Sequence, residues 1–319
     1  MGTPQHKIGS GFGARSTADE VLHGIDLTGR LAVVTGGYSG LGLEVTRALA
    51  RAGAHVMVPA RRPTTAQQAT ATIPRTETAP LDLADLSSVE HFARTLLATG
   101  RTIDLLIANA GIATCPERRV GPGWEAQFAV NHLGHYALVN HLRPALAPGA
   151  RVVAVSSAGH QLSDIRRHDP HFTEGYDKWL AYGQAKTANA LFATHLDTLA
   201  APSGIHAYSL HPGAIVTPLL RHLDRADLIA KGWIDEAGTV IHPDFKTPEQ
   251  GAATTVWAAT SPLLDDRGGA YCEDCDIAEL TTSEEAWTGV RAYATDPIAA
   301  ARLWSLSAEL TGVDAFSEG

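Results

Sequence analysis

Tyr182 and Lys186 stand four residues apart in Tyr182-Gly183-Gln184-Ala185-Lys186. On a helix that spacing puts both on one face, a turn apart. An ammonium beside a phenol favours the ionised phenol. It moves a group that ordinarily titrates near about pH 10 toward the range of a working proton shuttle. Alone, the pair describes a surface lysine beside a half-buried tyrosine equally well. Upstream, in order, come a glycine-rich turn, Asn109-Ala110-Gly111, Asn131 and Ser156-Ser157.

The elements that must hold these residues are legible. Leu31-Ala32-Val33-Val34 reads as a buried parallel strand. It runs into Thr35-Gly36-Gly37-Tyr38-Ser39-Gly40-Leu41-Gly42, followed by a helical pattern to Arg51 and a stop at Gly53. Strand, glycine turn and helix are the context of a dinucleotide fingerprint. Gly36 allows the tight turn, Gly40 the approach of a pyrophosphate and Gly42 close packing of helix on strand, with the phosphates at the helix N-terminus. The spacing is T-G-x-x-x-G-x-G, not the commoner G-x-G-x-x-G.

Strands are expected at 31–35, 55–59, 77–81, 105–108, 151–156, 206–210 and near 270–272. Helices are expected at 40–51, 86–98, 123–146, 182–199 and 248–259. The alternation predicts an α/β fold. It is a single Rossmann-type doubly wound domain, with a parallel seven-stranded sheet in the order 3-2-1-4-5-6-7 and helices on both faces. Residues 1–25 read as an N-terminal arm with one short helix, opened by a capping box at Thr17-Ala18-Asp19-Glu20. The domain follows over 26–279, and a helical tail over 280–319. Two segments, 158–181 and 218–247, exceed ordinary loop length. At the carboxyl end of such a sheet, long loops are substrate loops.

After the second strand, Ala60 stands where NAD-binding folds place an acid for the ribose hydroxyls, and Arg61 and Arg62 follow. An arginine there can pair with a 2′-phosphate, and no carboxylate repels it. This favours NADP(H), with NAD(H) the rival if both arginines are only solvated loop charges. Val152-Val153-Ala154-Val155-Ser156-Ser157 is a buried strand that ends in two hydroxyls where side chains emerge toward ligand. Asn131 lies inside an expected helix, an unfavoured place for Asn. His132 and His135 beside it read as packing or solvent-facing, and His168 and His171 as solvated.

The chain has 319 residues, 45% hydrophobic and 18% charged, with net charge −9. That suffices for a sizeable core and argues against a nucleic-acid or anionic-membrane surface. No apolar run reaches the length of a membrane span, and Met1-Gly2-Thr3-Pro4-Gln5-His6-Lys7 lacks a signal-peptide core, so a soluble protein is expected. Three cysteines point to a reducing compartment, read as the cytoplasm. Cys272-Glu273-Asp274-Cys275 has no second C-x-x-C to complete a zinc site, so it reads as small residues packing under the last strand.

With these motifs in one order, the chain resembles the short-chain dehydrogenase/reductase family from about Asp26 to Asp276. Within it, the chain looks closest to the retinol dehydrogenase and WW-domain oxidoreductase branch. Phe12-Gly13-Ala14-Arg15-Ser16, Val130-Asn131-His132-Leu133-Gly134-His135 and His211-Pro212-Gly213 carry the branch likeness. The resemblance implies a catalytic set of Asn131, Ser157, Tyr182 and Lys186. Tyr182 would exchange the proton. Ser157 would clamp a carbonyl oxygen with it. Lys186 would lower the phenol's pKa and bind the nicotinamide ribose, and Asn131 would hold a water that links the lysine to solvent. It carries Asp82 and Leu83 to the adenine, Asn109, Ala110 and Gly111 to the cofactor's side, and Pro212, Gly213, Ile215 and Thr217 to the carboxamide and phosphates. It also implies a homodimer or homotetramer. A ketone or aldehyde interconverted with an alcohol is the expected chemistry on a bulky, partly apolar substrate. A C=C reductase on the same scaffold and a non-catalytic nucleotide-binding regulator are the rivals. The regulator is disfavoured because all four catalytic positions are filled.

Overall fold

A computed structural model describes residues 3–283 and 287–316. The strands are β1 (Leu31–Val34), β2 (His55–Ala60), β3 (Thr76–Pro80), β4 (Ile103–Ala108), β5 (Arg119–Val120), β6 (Trp124–Glu125), β7 (Leu146–Val155), β8 (His206–His211), β9 (Tyr271–Glu273) and β10 (Asp276–Ile277). The main sheet runs β10-β9-β8-β7-β4-β1-β2-β3. Its seven expected strands are parallel and in the expected order. Sequence reasoning missed an eighth, antiparallel edge strand. Asp274 and Cys275 take positive φ (52° and 60°), turning the chain back so that Asp276 pairs with Glu273 and Ile277 with Cys272. The Cys-x-x-Cys segment is thus this hairpin, and both thiols are free and buried in the core. Among the described residues no group of three His, Cys, Asp or Glu could hold a metal ion.

Alternation along each strand builds the two cores. Ala32 and Val34 face one side of β1, Leu31 and Val33 the other. The first side is covered by α1 (Ala18–Val21), α2 (Gly40–Arg51) and α9 (Pro248–Thr260) through Val21, Val45, Leu49, Val256 and Trp257. On the second lie α4 (Leu86–Leu97), α6 (Gly134–Leu142), α7 (Lys178–Ala200) and α10 (Pro297–Thr311), through Phe92, Leu138, Phe192 and Trp304. Each fully buried side chain of this size contributes about 1.5–3 kcal/mol. Three short helices, α3 (Pro63–Thr70), α5 (Ala126–Phe128) and α8 (Arg225–Ala230), lie in the connections.

The arm is tied to the body. Thr17 and Glu20 form the expected capping box of α1, and the Asp276 carboxylate accepts the amides of Ile8, Gly9 and Ser10 at 2.8, 3.0 and 3.3 Å. In the C-terminal segment, Trp304 stacks on Phe192, 5.8 Å between centroids. No helix among the described residues is long and apolar enough to cross a membrane.

Two expected helices needed correction. Residues 123–146 are not one helix: Trp124–Glu125 pairs with β5, α5 follows, Ala129–Leu133 is a π-helical turn, and Leu146 already belongs to β7. The buried Glu125 carboxylate caps α5 by accepting the amides of Gln127 and Phe128, which stops a helix from starting earlier. α7 begins a turn before Tyr182, because Asp177 caps it by accepting the amides of Trp179 and Leu180, both at 2.8 Å.

Candidate active site

The glycine turn folds as its sequence requires. Gly36 and Gly40 take φ of +67° and +51°, conformations that cost an L-residue with a side chain. A Cβ on Gly42 would lie 2.4 Å from the Gly36 carbonyl oxygen and 2.5 Å from Asn109 Nδ2. Ser39 is exposed at the N-cap of α2, and its side chain makes no cap bond. The first amides of α2 are therefore not taken by a side chain, and an anion can use them. Thr217 borders this turn: a Cβ on Gly40 would meet Thr217 Cβ at 3.5 Å. Leu41 and Ile215 both pack on Gly251, and Tyr38 packs half-buried against the core. Gly213, at φ +102° after the buried Pro212, lies against the Lys246 side chain.

Around the turn lie the other residues expected to meet a cofactor. The Asn109 amide side chain donates to Thr35 O at 2.9 Å, and Thr35 Oγ1 accepts the amides of Asn109 and Ala110, each at 3.0 Å. The Asp82 carboxylate accepts the Ala84 amide at 3.0 Å, and buried Leu83 packs where a Cβ on Gly134 would strike its carbonyl. Arg61 and Arg62 are exposed at the end of β2, and neither pairs with a carboxylate among the described residues.

Four residues converge at the carboxyl ends of β4 and β7. A Cβ on Gly111 would stand 3.2 Å from Asn131 Oδ1 and 3.7 Å from Lys186 Nζ. A Cβ on Gly159 would stand 2.7 Å from Tyr182 Cε1 and 3.4 Å from Ser157 Oγ. Lys186 Nζ donates to Val155 O at 2.9 Å and lies 5.7 Å from the centre of the Tyr182 ring. Ser156 spends its hydroxyl on Lys186 O at 2.7 Å, which leaves Ser157 as the serine beside the phenol. Asn131 sits in the π-helical turn, its side chain donating to Ile112 O at 2.9 Å and accepting from Ile112 N at 2.8 Å.

Burial opposes one expectation. Desolvation pushes the Tyr182 phenol up to about 12, against the pull of the Ser157 hydroxyl, and pushes Lys186 down to about 8. The ammonium at 5.7 Å does not offset the low-dielectric surroundings of the phenol. At neutral pH the pair therefore holds a protonated phenol beside a charged amine.

Sequence reasoning missed the histidines. His160 Nδ1 is 2.7 Å from Ser157 O, the Tyr271 hydroxyl donates to the same oxygen at 3.2 Å, and the Ala158 amide donates to His211 Nδ1 at 3.0 Å. His132 and His135 are buried, the packing alternative of their expected reading. His132 Nε2 is 2.7 Å from Ser307 Oγ. His171 is partly buried and packs edge-on against Phe128, while His168 is exposed as expected. A lone His in sequence carries no signal of burial, so only the crowding of Asn131-His132-x-x-His135 could have raised it.

Those histidines set an acid limit. Burial holds His132 at about 3 and His135 and His160 at about 4, below the ordinary value of 6.5. Their depressed values stabilise the fold fully above pH 6.5, and that contribution is lost as pH falls toward 4. Unfolding near pH 5 then takes up about three protons at these sites, and stability falls by about 4 kcal/mol per pH unit there. The urea midpoint should drop sharply between pH 7 and pH 5; an unchanged midpoint would contradict the burial of these rings.

A parallel doubly wound sheet with a glycine turn after β1, and a Ser just past β7 facing a Tyr and a Lys on α7, defines a nucleotide-dependent enzyme class. A model of the short chain dehydrogenase family matches residues 30–227. A probable oxidoreductase of Streptomyces lividans is 47% identical over 89% of this chain and 98% of its own. Retinol dehydrogenase 12 of Mus musculus is 34% identical over 91% of this chain and 88% of its own. A crystal structure of a putative uncharacterized protein from Mycobacterium paratuberculosis matches with TM-score 0.73 and 34% identity, over 94% of this chain and 98% of that one. The chain belongs to the short-chain dehydrogenase/reductase family and is an NAD(P)-dependent oxidoreductase, on the branch its motifs resemble.

Proposed function

We propose that this enzyme interconverts a ketone or aldehyde and an alcohol with NADP(H), using Tyr182, Ser157, Lys186 and Asn131. The observation that carries the reading is the meeting of Ser157 Oγ and the Tyr182 ring over Gly159, with Lys186 behind them. The cofactor supplies the hydride when bound. Gly36, Gly40, Gly42 and the first turn of α2 would cradle its phosphates, with Thr217 on the facing side. Ser157 and Tyr182 donate to the substrate oxygen, and the protonated phenol gives its proton to the forming alkoxide. Lys186, charged at neutral pH, stabilises the phenolate that this leaves. For the substrate, Lys231 lies 5.2 Å from the Trp179 ring and 5.6 Å from that of Trp233. These contacts bring the 218–247 loop to the first turn of α7, one turn before Tyr182. Apolar rings there favour a bulky, partly apolar substrate. A carbonyl and alcohol panel with both cofactors, followed by nicotinamide absorbance, tests the reading; no turnover on any member would end it.

Cofactor choice rests on Arg61. A charge-assisted, bidentate contact with a 2′-phosphate contributes roughly 1.5–3 kcal/mol. Arg61→Ala should therefore weaken NADPH binding about ten- to a hundredfold and leave NADH almost unchanged. The gap between the cofactors should narrow in high salt, because Arg61 is exposed. Titration by nicotinamide fluorescence decides it. Equal loss for both cofactors would show that Arg61 supports the fold instead, and a wild-type preference for NADH would remove the assignment.

A further inference from the structure

Among the described residues, His135 is the one buried ring that touches both the nucleotide turn and the Asn131 backbone. Its Nδ1 lies 2.9 Å from Asn131 O and its Nε2 2.8 Å from Thr35 Oγ1. The roles are fixed by elimination. A carbonyl only accepts, so Nδ1 carries the proton and Nε2 accepts from the Thr35 hydroxyl. That hydroxyl has one proton to give, and Nε2 at 2.8 Å takes it ahead of the Ile107 carbonyl at 3.3 Å, while the hydroxyl oxygen accepts the amides of Asn109 and Ala110. Burial keeps the ring neutral, as this pattern requires.

Followed around, the bonds close. Thr35 holds Ala110, and His135 holds Thr35 and Asn131. The Asn131 side chain grips both the amide and the carbonyl of Ile112. Gly111 is the residue between Ala110 and Ile112, clamped from both sides, and its face is turned to Lys186 Nζ. The π-helical turn Ala129–Leu133 contains the Asn131 carbonyl that His135 uses. Such turns often mark functional sites.

We propose that His135 is a positioning residue for the reaction: it closes a ring of hydrogen bonds that fixes Gly111 and Asn131 against the Lys186 ammonium. The proposal rests on the functional reading above. Truncating His135 leaves the Asn131 carbonyl and the Thr35 hydroxyl without this partner in a buried site, and the ring opens.

Three variants test it, each followed by turnover, cofactor titration and thermal melting. His135→Phe keeps the ring volume and removes both bonds. Its kcat should fall tenfold or more, while carbonyl KM and cofactor Kd stay within threefold. His135→Asn restores a donor where Nδ1 stood, and its kcat should return to within threefold of wild type. His135→Gln restores only a partner at the Nε2 position and should stay near the Phe variant. A purely structural residue would give kcat that tracks the melting temperature in all three, which would overturn the proposal. A Phe variant with kcat within threefold of wild type would overturn it too. Should the Phe variant fail to fold, equal kcat for the Asn and Gln variants would do the same. A wild type inactive on every carbonyl and alcohol would sink the functional reading, and the proposal with it. An active wild type with an unimpaired Phe variant would sink the proposal alone.

Discussion

Tyr182→Phe should lower turnover by a factor on the order of 100 or more while leaving NADPH affinity within about threefold. The substitution removes one oxygen and keeps the ring that packs against Gly159. Removing a positioned acid typically costs a hundredfold to ten-thousandfold. The Ser157 hydroxyl remains and can still polarise a carbonyl, which leaves residual activity. Stability should change little, since the phenol is already neutral at neutral pH, where burial pushes its pKa up to about 12, and no charge is removed. Steady-state absorbance and a fluorescence titration on the same preparation separate the two effects. Turnover within about threefold of wild type would remove Tyr182 from the mechanism. A parallel loss of cofactor affinity would place the phenol in nucleotide binding.

Much of this was legible because glycine positions and buried apolar runs report backbone geometry directly. Thr35-Gly36 to Gly42 could be read as a turn because a Cβ at Gly42 has nowhere to go, whichever sequence surrounds it. The seven parallel strands were legible from apolar runs flanked by helical patterns. The edge strand Asp276–Ile277 was not, because two residues show no periodicity and its turn uses Asp and Cys at positive φ where Gly or Asn would have signalled it. The 123–146 segment misled for a related reason. Its apolar spacing is helical throughout, but Glu125 caps a later start and a π-helical turn interrupts the middle. In the site, side chains with one chemistry, such as Tyr182 and Lys186, declared themselves through spacing. Residues that act by holding others, such as Thr35, His135, His160 and Tyr271, did not, because each has at least one partner about a hundred residues away. The direction of the Tyr182 shift was also beyond the sequence. It depends on how completely α7 is enclosed, and that is a property of packing on α10 and β8 rather than of the Tyr-x-x-x-Lys spacing.

Gly42→Ala should abolish most cofactor binding, and by a route that separates it from Arg61. The added Cβ would lie 2.4 Å from the Gly36 oxygen, 2.9 Å from its carbonyl carbon and 2.5 Å from Asn109 Nδ2. Two of those three atoms are backbone, so no side-chain rotation relieves the overlap. Either α2 moves away from β1 or the turn between them deforms, at a cost of roughly 1–3 kcal/mol in stability. Both movements displace the amides at the start of α2. Each amide bond lost to a charged phosphate costs roughly 1.5–3 kcal/mol, so losing two lowers affinity on the order of a hundredfold or more. Because pyrophosphate is common to both cofactors, NADPH and NADH should weaken together, unlike the selective loss expected for Arg61→Ala. Ser157 sits just past the end of β7 and Tyr182 and Lys186 on α7, clear of the substitution, so kcat at saturating cofactor should stay within about threefold. A variant that binds both cofactors within threefold of wild type would mean that the phosphates do not rest on this turn.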